Sequence, residues 1–308
     1  MAEHKYSESI VKDTYKVINC EDCGYWHVHP MPTAQELEDY YKKIYYERLG
    51  DNRTMTDKLR DPDGFYQIQY EDKLRRIIKL LPSGLPLSVL DIGSGYGDFL
   101  LFMKDKGWET MGVEPSEYAY EICKGNTLNV QCASFTDLLE LSFPSCSVVT
   151  LNCVLEHLPA PAELLRIIKE HLLIPGGILH IDVPNDFSFL QYLLNNTLLR
   201  ENSNKQNYWL HPPEHLNYWT HQSLKSFLIK MGYKIVYLTS TFPLELFPLM
   251  GEDYISNPEV GRQMHLKRVC LEKWLHETNN CHFKDTLYEK FAQVGIGREI
   301  LAFATTKL

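Results

Sequence analysis

The chain has 308 residues, 44% of them hydrophobic and 23% charged, an ordinary globular composition with enough apolar material for one large core and a small accessory lobe. A formal net charge of −9, with no run of lysine or arginine, excludes a broad electrostatic grip on nucleic acid, which needs a basic face. The apolar stretches Leu172–Ile174 and Gly176–Ile181 are broken by Pro175 and fall well short of the ~20 residues of a membrane span.

Residues 1–13 are polar, without the apolar centre of a secretory leader, so the expected location is cytoplasmic. The eight cysteines are mostly scattered, which suits reduced thiols better than a disulfide framework. The exception is Cys20-Glu21-Asp22-Cys23, around which residues 14–30 are expected to form two short strands. Thr33 caps a predicted helix running to about Tyr46, with Glu36 three residues on completing a capping box. A loop over 48–64 and a second helix over about 65–81 follow, the latter with Phe65, Ile68, Leu74, Ile77, Ile78 and Leu81 near helical spacing.

The rhythm then changes. Strands are predicted at 87–92, 109–114, 128–132, 147–152 and 177–183, with helices between them at 97–106, 116–124, 136–140 and 160–172. Alternation of this kind predicts a parallel sheet covered on both faces. An insertion of about 185–220 precedes a helix (221–231), a strand (233–239), a long amphipathic stretch (257–277) and a last strand (299–306). The expected division is an N-terminal accessory lobe, 1–80, and a main domain, 81–308, with a C-terminal helical cover at about 241–295.

Residues 91–97, Asp-Ile-Gly-Ser-Gly-Tyr-Gly, read as a buried strand running into a glycine turn that opens a helix. Glycines let the backbone turn tightly and approach a ligand, and the helix start offers free amides. Glu114 ends the next strand, near the 20-residue offset at which an acidic group takes ribose hydroxyls in doubly wound folds. A surface glutamate at a strand end is the bland alternative, made improbable by the glycine turn one unit upstream.

The order Asp-x-Gly-x-Gly-x-Gly, a strand ending in Glu114, then Val148–Asn152 with Leu155-Glu156-His157-Leu158, then Leu173-Ile174-Pro175-Gly176-Gly177, resembles class I S-adenosylmethionine-dependent methyltransferases over about 75–240. The resemblance implies an α/β fold, with a doubly wound, Rossmann-like, seven-stranded, mostly parallel sheet, an N-terminal lobe and an inserted substrate-covering segment. It implies S-adenosyl-L-methionine as cofactor. Asp91, Gly93, Ser94, Gly95 and Tyr96 would line its methionine part, Glu114 and Pro115 its ribose, and Ser134 and Phe135 its adenine. Neither Ser134 nor Phe135 is the acidic residue the family often has there. Asn152 would sit near the transferring methyl, and a tyrosine (Tyr96, or one of the 40–46 helix) would face the sulfonium through cation–π attraction.

Methyl transfer needs alignment and, for many acceptors, a proton acceptor. Two segments offer one. Glu156-His157 either opens the following helix or presents an imidazole to the acceptor. Residues 208–219, Tyr-Trp-Leu-His-Pro-Pro-Glu-His-Leu-Asn-Tyr-Trp, either pack a lobe onto the core or form a substrate wall in which Glu214 orients His215. Tyr45, Tyr46, His211 and Tyr218 complete the expected acceptor contacts.

Glu214-His215 before Asn-Tyr-Trp-Thr, with Cys20-x-x-Cys23-Gly entering towards Pro30, resembles the subgroup of bacterial sugar C-methyltransferases and small-molecule O-methyltransferases. In the former, such a Glu-His pair does the acid/base work, and a histidine matching His157 faces the substrate. Two departures stand out: Pro212 replaces their tyrosine, and the chain is too short for their additional C-terminal domain. Relatives in that subgroup build a zinc knuckle from two cysteine pairs; only Cys20 and Cys23 occur here, so no metal is expected, although His4, His27 and His29 could complete a tetrahedral set. The expected acceptor is a sugar or nucleotide-linked sugar, with a quinone- or polyketide-like molecule, or a non-catalytic partner role, as alternatives. A monomer or homodimer, with neither nucleic acid nor membrane as partner, completes the expectation.

Overall fold

The polar opening of the chain is itself a strand. In the computed structural model, which describes residues 4–40, 63–202 and 205–306, Tyr6–Lys12 (β1) pairs antiparallel with Tyr15–Cys20 (β2), and β2 with Tyr25–Val28 (β3). A two-residue strand, Asn217–Tyr218 (β9), closes this sheet against β3. Val17, Val28, Leu210, Leu216 and Tyr218 form the apolar cluster beneath it. The capping box holds as expected: the Thr33 N–H donates to Glu36 Oε2 at 2.7 Å, the Glu36 N–H donates to Thr33 Oγ1 at 3.2 Å, and the helix Ala34–Tyr40 (α1) follows. The expected continuation of that helix, including Tyr45 and Tyr46, lies outside the described residues.

These strands belong to one of two compact units, which combines the described residues up to Ile68 with Pro184–Leu224 and Thr239–Ile300. Its remaining described helices all come late in the chain: Phe189–Asn196, Leu246–Leu249, Pro258–Glu277 and Cys281–Gln293. Asn185 and Arg298 tie its two later segments together. The Asn185 N–H donates to the Arg298 carbonyl at 2.8 Å, and Asn185 Nδ2 donates to the carbonyls of Gly295 and Gly297 at 3.1 and 2.9 Å.

The other unit, Gln69–Val183 with Lys225–Leu238 and Leu301–Leu308, holds the expected seven-stranded sheet. Helix α2 (Phe65–Leu80) leads into β4 (Ser88–Ile92), α3 (Asp98–Asp105), β5 (Glu109–Glu114), α4 (Glu117–Gly125) and β6 (Val130–Cys132). Then come β7 (Cys146–Asn152), α5 (Pro161–Ile167), β8 (Leu173–Pro184), the helix His221–Lys230, β10 (Tyr233–Ser240) and β11 (Glu299–Thr306). The spatial order is β10-β11-β8-β7-β4-β5-β6, and the four pairings from β8 to β6 are parallel. All five residues of β4 are buried, as a parallel strand covered on both faces requires.

Three expected elements are corrected. The helix at 136–140 is only a 3-10 turn, Phe135–Asp137. The helix at 160–172 is α-helical to Ile167 and widens into a π-turn over Ile168–Leu172. Strand β8 begins at Leu173, ahead of the Pro-Gly-Gly bend. Among the described residues no helix is long and apolar enough to cross a membrane.

Candidate functional site

Strand order reverses between β4 and β7: the chain adds β5 and β6 on one side of β4, then returns to add β7 and β8 on the other. Ligands of open α/β sheets bind outside the carboxyl ends of the strands at such a switch point. Asp91 near the end of β4 and Asn152 at the end of β7 meet there, Asn152 Nδ2 donating to Asp91 Oδ1 at 2.9 Å. Thr150 Oγ1 donates to the same oxygen at 2.6 Å, and Lys73 of α2 donates from Nζ to Asn152 Oδ1. Burial pushes the Asp91 carboxyl up to about 6 and outweighs the pull of Thr150, Lys73 and Asn152 towards the charged form. Cys153, next along, holds a left-handed φ of 53° that few non-glycine residues adopt, and turns the chain sharply as it leaves β7.

The glycine turn leaves β4 through Gly93 and Gly95, with φ of 73° and 54°. The N–H groups of Gly93 and Ser94 both donate to the Val113 carbonyl of β5, at 2.8 and 3.0 Å. Gly95 and Ser116 donate their N–H groups to opposite oxygens of Glu114, each at 2.8 Å. Glu114 is thus held rigidly at the end of β5. Burial raises its carboxyl, and the two amides pull it back down. The three glycines are not equivalent. A side chain on Gly97 would run into Leu128 and Cys123, and one on Gly93 into Val154, whereas a Cβ on Gly95 meets nothing within 4 Å. That open face beside an anchored carboxylate is a cradle shaped for a ligand.

Tyr96, half-buried, stands edge-on to Tyr118 with ring centres 6.1 Å apart, and Pro115 is exposed next to Glu114. Ser134 caps the 3-10 turn in a reciprocal box: its N–H donates to Asp137 Oδ2 at 3.0 Å, and its Oγ accepts from the Thr136 N–H at 3.1 Å. The acidic side chain beside Ser134 is that of Asp137. His157 is a quarter exposed and has its Nε2 3.8 Å from Oε1 of the buried Glu156, both on a 3-10 turn that precedes α5. All the expected cofactor residues, with His157, fall in the unit of the seven-stranded sheet.

His211, Glu214, His215 and Tyr218 fall in the other unit. They lie close together there: the His215 N–H donates to the His211 carbonyl at 2.9 Å, and the His215 ring centre lies 6.0 Å from that of His211 and 6.3 Å from that of Tyr218. Tyr218 is wholly buried within the apolar cluster, and burial drives its hydroxyl well above the ordinary tyrosine range. Tyr45 and Tyr46 lie outside the described residues. Lys73, Thr150 and Asp137 were not singled out from sequence. Lys73 did carry a signal: it lies four residues before the fully buried Ile77, so a lysine occupies the apolar stripe of an amphipathic helix.

A family model described as a methyltransferase domain matches residues 66–238. A ubiquinone biosynthesis O-methyltransferase of Idiomarina loihiensis is 25% identical over 154 residues, covering 47% of this chain and 63% of that enzyme. The structure of the plantazolicin methyltransferase BpumL in complex with SAH is similar, with a TM-score of 0.51 and 13% identity over 88% of this chain and 94% of that one. A SAM-dependent methyltransferase from Archaeoglobus fulgidus aligns with a TM-score of 0.49 and 21% identity, over 78% and 94% of the two chains. At 13% identity the BpumL structure speaks to the fold alone.

Proposed function

Because the chain belongs to the methyltransferase-domain family, we propose that it moves the methyl group of S-adenosyl-L-methionine onto a small hydroxylated acceptor. The observation that carries this reading is the meeting of Asp91 and Asn152 across the switch point, beside a Glu114 carboxylate pinned at the rim of an open glycine turn. Asp91, Gly93, Ser94, Gly95 and Tyr96 hold the methionine end. Glu114, with Pro115 beside it, accepts the ribose hydroxyls: each of its oxygens uses one lone pair on an amide and keeps another. Ser134 and Phe135 border adenine, with Asp137 as an acidic neighbour, and Asn152 lies under the reacting methyl.

When bound, the cofactor supplies an electrophilic methyl on a good leaving group. What remains for the protein is to align the acceptor and take up its proton. His215, oriented by Glu214, and His157, paired with Glu156, are the proposed proton acceptors, and His211 and Tyr218 support the acceptor wall. A sugar or nucleotide-linked sugar is the proposed acceptor class, on the polar, imidazole-rich character of residues 208–219. A quinone-like phenol is the second reading, favoured by the relative from Idiomarina loihiensis.

Calorimetric titration with S-adenosylhomocysteine tests the core of the proposal; an absence of binding sinks it. Incubation with methyl-labelled cofactor and a panel of nucleotide sugars and catechols then separates the acceptor classes. A His215→Ala variant with undiminished turnover removes His215 as the base.

A further inference from the structure

We propose that the N-terminal hairpin is a zinc site whose ligands are His4, Cys20, Cys23 and His27. This inference stands apart from the methyl-transfer reading. One ligand atom from each of the four residues lies within 4.8 Å of those of the other three. His4 Nδ1 is 3.2 Å from Cys20 Sγ and 3.6 Å from Cys23 Sγ. Two ligands of a tetrahedral zinc, with bonds of about 2.3 Å to sulfur and about 2.0 Å to nitrogen, stand about 3.6 Å apart. The spacing of the cluster is therefore that of a coordination shell about a single ion.

The local fold explains how so short a segment assembles four donors. Cys20 ends β2 and is 1% exposed, and the turn Glu21–Gly24 closes through Gly24 at a φ of 82°. The Cys23 N–H donates to Cys20 Sγ at 3.3 Å, which folds the turn back onto that sulfur. Across the hairpin Cys20 pairs with Tyr25 and Ile18 with His27. Since residues two apart share a face, Cys20 and His27 look the same way. Pairing of Tyr6 with Cys20 then brings the chain ahead of β1, and His4 with it, to the same corner.

His27 supplies the decisive detail. It is 3% exposed, its Nδ1 lies 2.8 Å from the Val28 carbonyl, and its Nε2 is buried with no hydrogen-bond partner among the described residues. A ring whose Nδ1–H is anchored on a carbonyl presents a lone pair at Nε2, the tautomer a metal needs. Left without an ion, the nitrogen is a buried acceptor with an unmet desolvation cost. His29 stands nearby, its ring centre 5.3 Å from that of His4 and 6.3 Å from that of His27, but it is not one of the four. Two thiolates and two imidazoles form a closed donor set of the structural zinc type, leaving no position for a substrate. Binding releases the two thiol protons. The missing second cysteine pair is thus replaced by histidines, one ahead of the hairpin and one within it.

Metal analysis of the full-length protein, purified without chelator, is expected to find one zinc per chain. The site exchanged with cobalt(II) is expected to show the visible bands of a tetrahedral centre together with thiolate-to-cobalt charge transfer. His4→Ala and His27→Ala should each lose the metal or bind it far more weakly, while His29→Ala keeps it. Metal-free protein that takes up no cobalt overturns the proposal. So does stoichiometric zinc retained in His4→Ala or His27→Ala. The cobalt spectrum is read on the unmodified chain, so the proposal stays testable if a variant fails to fold.

Discussion

Asp91 shows what a buried carboxylate costs. With its folded pKa raised to about 6 by burial, the native state holds a proton that the unfolded chain has already released at the same pH. Its favourable contribution is therefore complete below the unfolded value and disappears as the pH rises through 6. An asparagine keeps an oxygen for the Thr150 and Asn152 donors and carries no charge. Asp91→Asn is accordingly expected to unfold at a higher temperature than the native chain at pH 7.5, by up to about 3 kcal/mol, with the gap narrowing as the pH falls through 6. Thermal scans across that range check it; a gap that widens on acidification refutes the assignment. Glu114 makes the complementary case. Glu114→Gln retains the side-chain shape but has one acceptor oxygen where the carboxylate has two. Affinity for S-adenosylhomocysteine is expected to drop about tenfold to a hundredfold, the loss of a charge-assisted hydrogen bond. Unchanged affinity in calorimetry would mean that the ribose lies elsewhere.

Elements were legible where their neighbours in sequence are also their neighbours in space. Strands β4, β5 and β7 and the turn after β4 announce themselves because a parallel strand buried on both faces must be continuously apolar, and because a backbone at positive φ selects glycine. Strand β1 escaped because its residues are mostly exposed and gain their strand character only from pairing with β2. Strand β9 is two residues long and exists only through β3. Lys73 was missed for a related reason: its partner, Asn152, is 79 positions away. Asp137 was missed because a capping box, not a strand end, brings it to its place. Within the turn itself, the structure separates two roles that the motif alone merges. Gly97→Ala places a methyl against Leu128 and Cys123 at a φ of 80°, so it is expected to destabilise the protein by about 2–4 kcal/mol. Gly95→Ala has open space and carries only the conformational strain, about 1–2 kcal/mol, yet puts its methyl where the ligand should lie. Denaturant unfolding and cofactor titration on the pair should therefore rank them in opposite orders. Equal losses of stability would contradict the distinction.

At the scale of the whole molecule, both units are built from discontinuous stretches, so the fold of each depends on groups that join distant segments. In the unit holding the four-stranded sheet, Arg298 is the chief of these. It reaches Asp186 Oδ1 at 3.1 Å and Glu245 Oε1 at 3.4 Å, while Gln191 Nε2 donates to that same Glu245 oxygen at 2.9 Å. The two carboxylate side chains are at most 1% exposed, and burial pushes Asp186 up to about 6 even with Arg298 pulling the other way. Desolvation thus wins over the ion pair, and the network fixes which segments meet more than it adds net stability. Removing only the cation leaves two buried carboxylates facing each other. Arg298→Met is therefore expected to lose about 3–5 kcal/mol near neutral pH. Without the guanidinium the Asp186 carboxyl loses the charge that pulls it down and titrates higher still, so protonation relieves the variant more than the native chain. The deficit should shrink at pH 5 and grow at pH 8, as denaturant unfolding at the two pH values will show. A deficit independent of pH would assign the loss to side-chain packing alone and remove the charge network from the account of how these segments are joined.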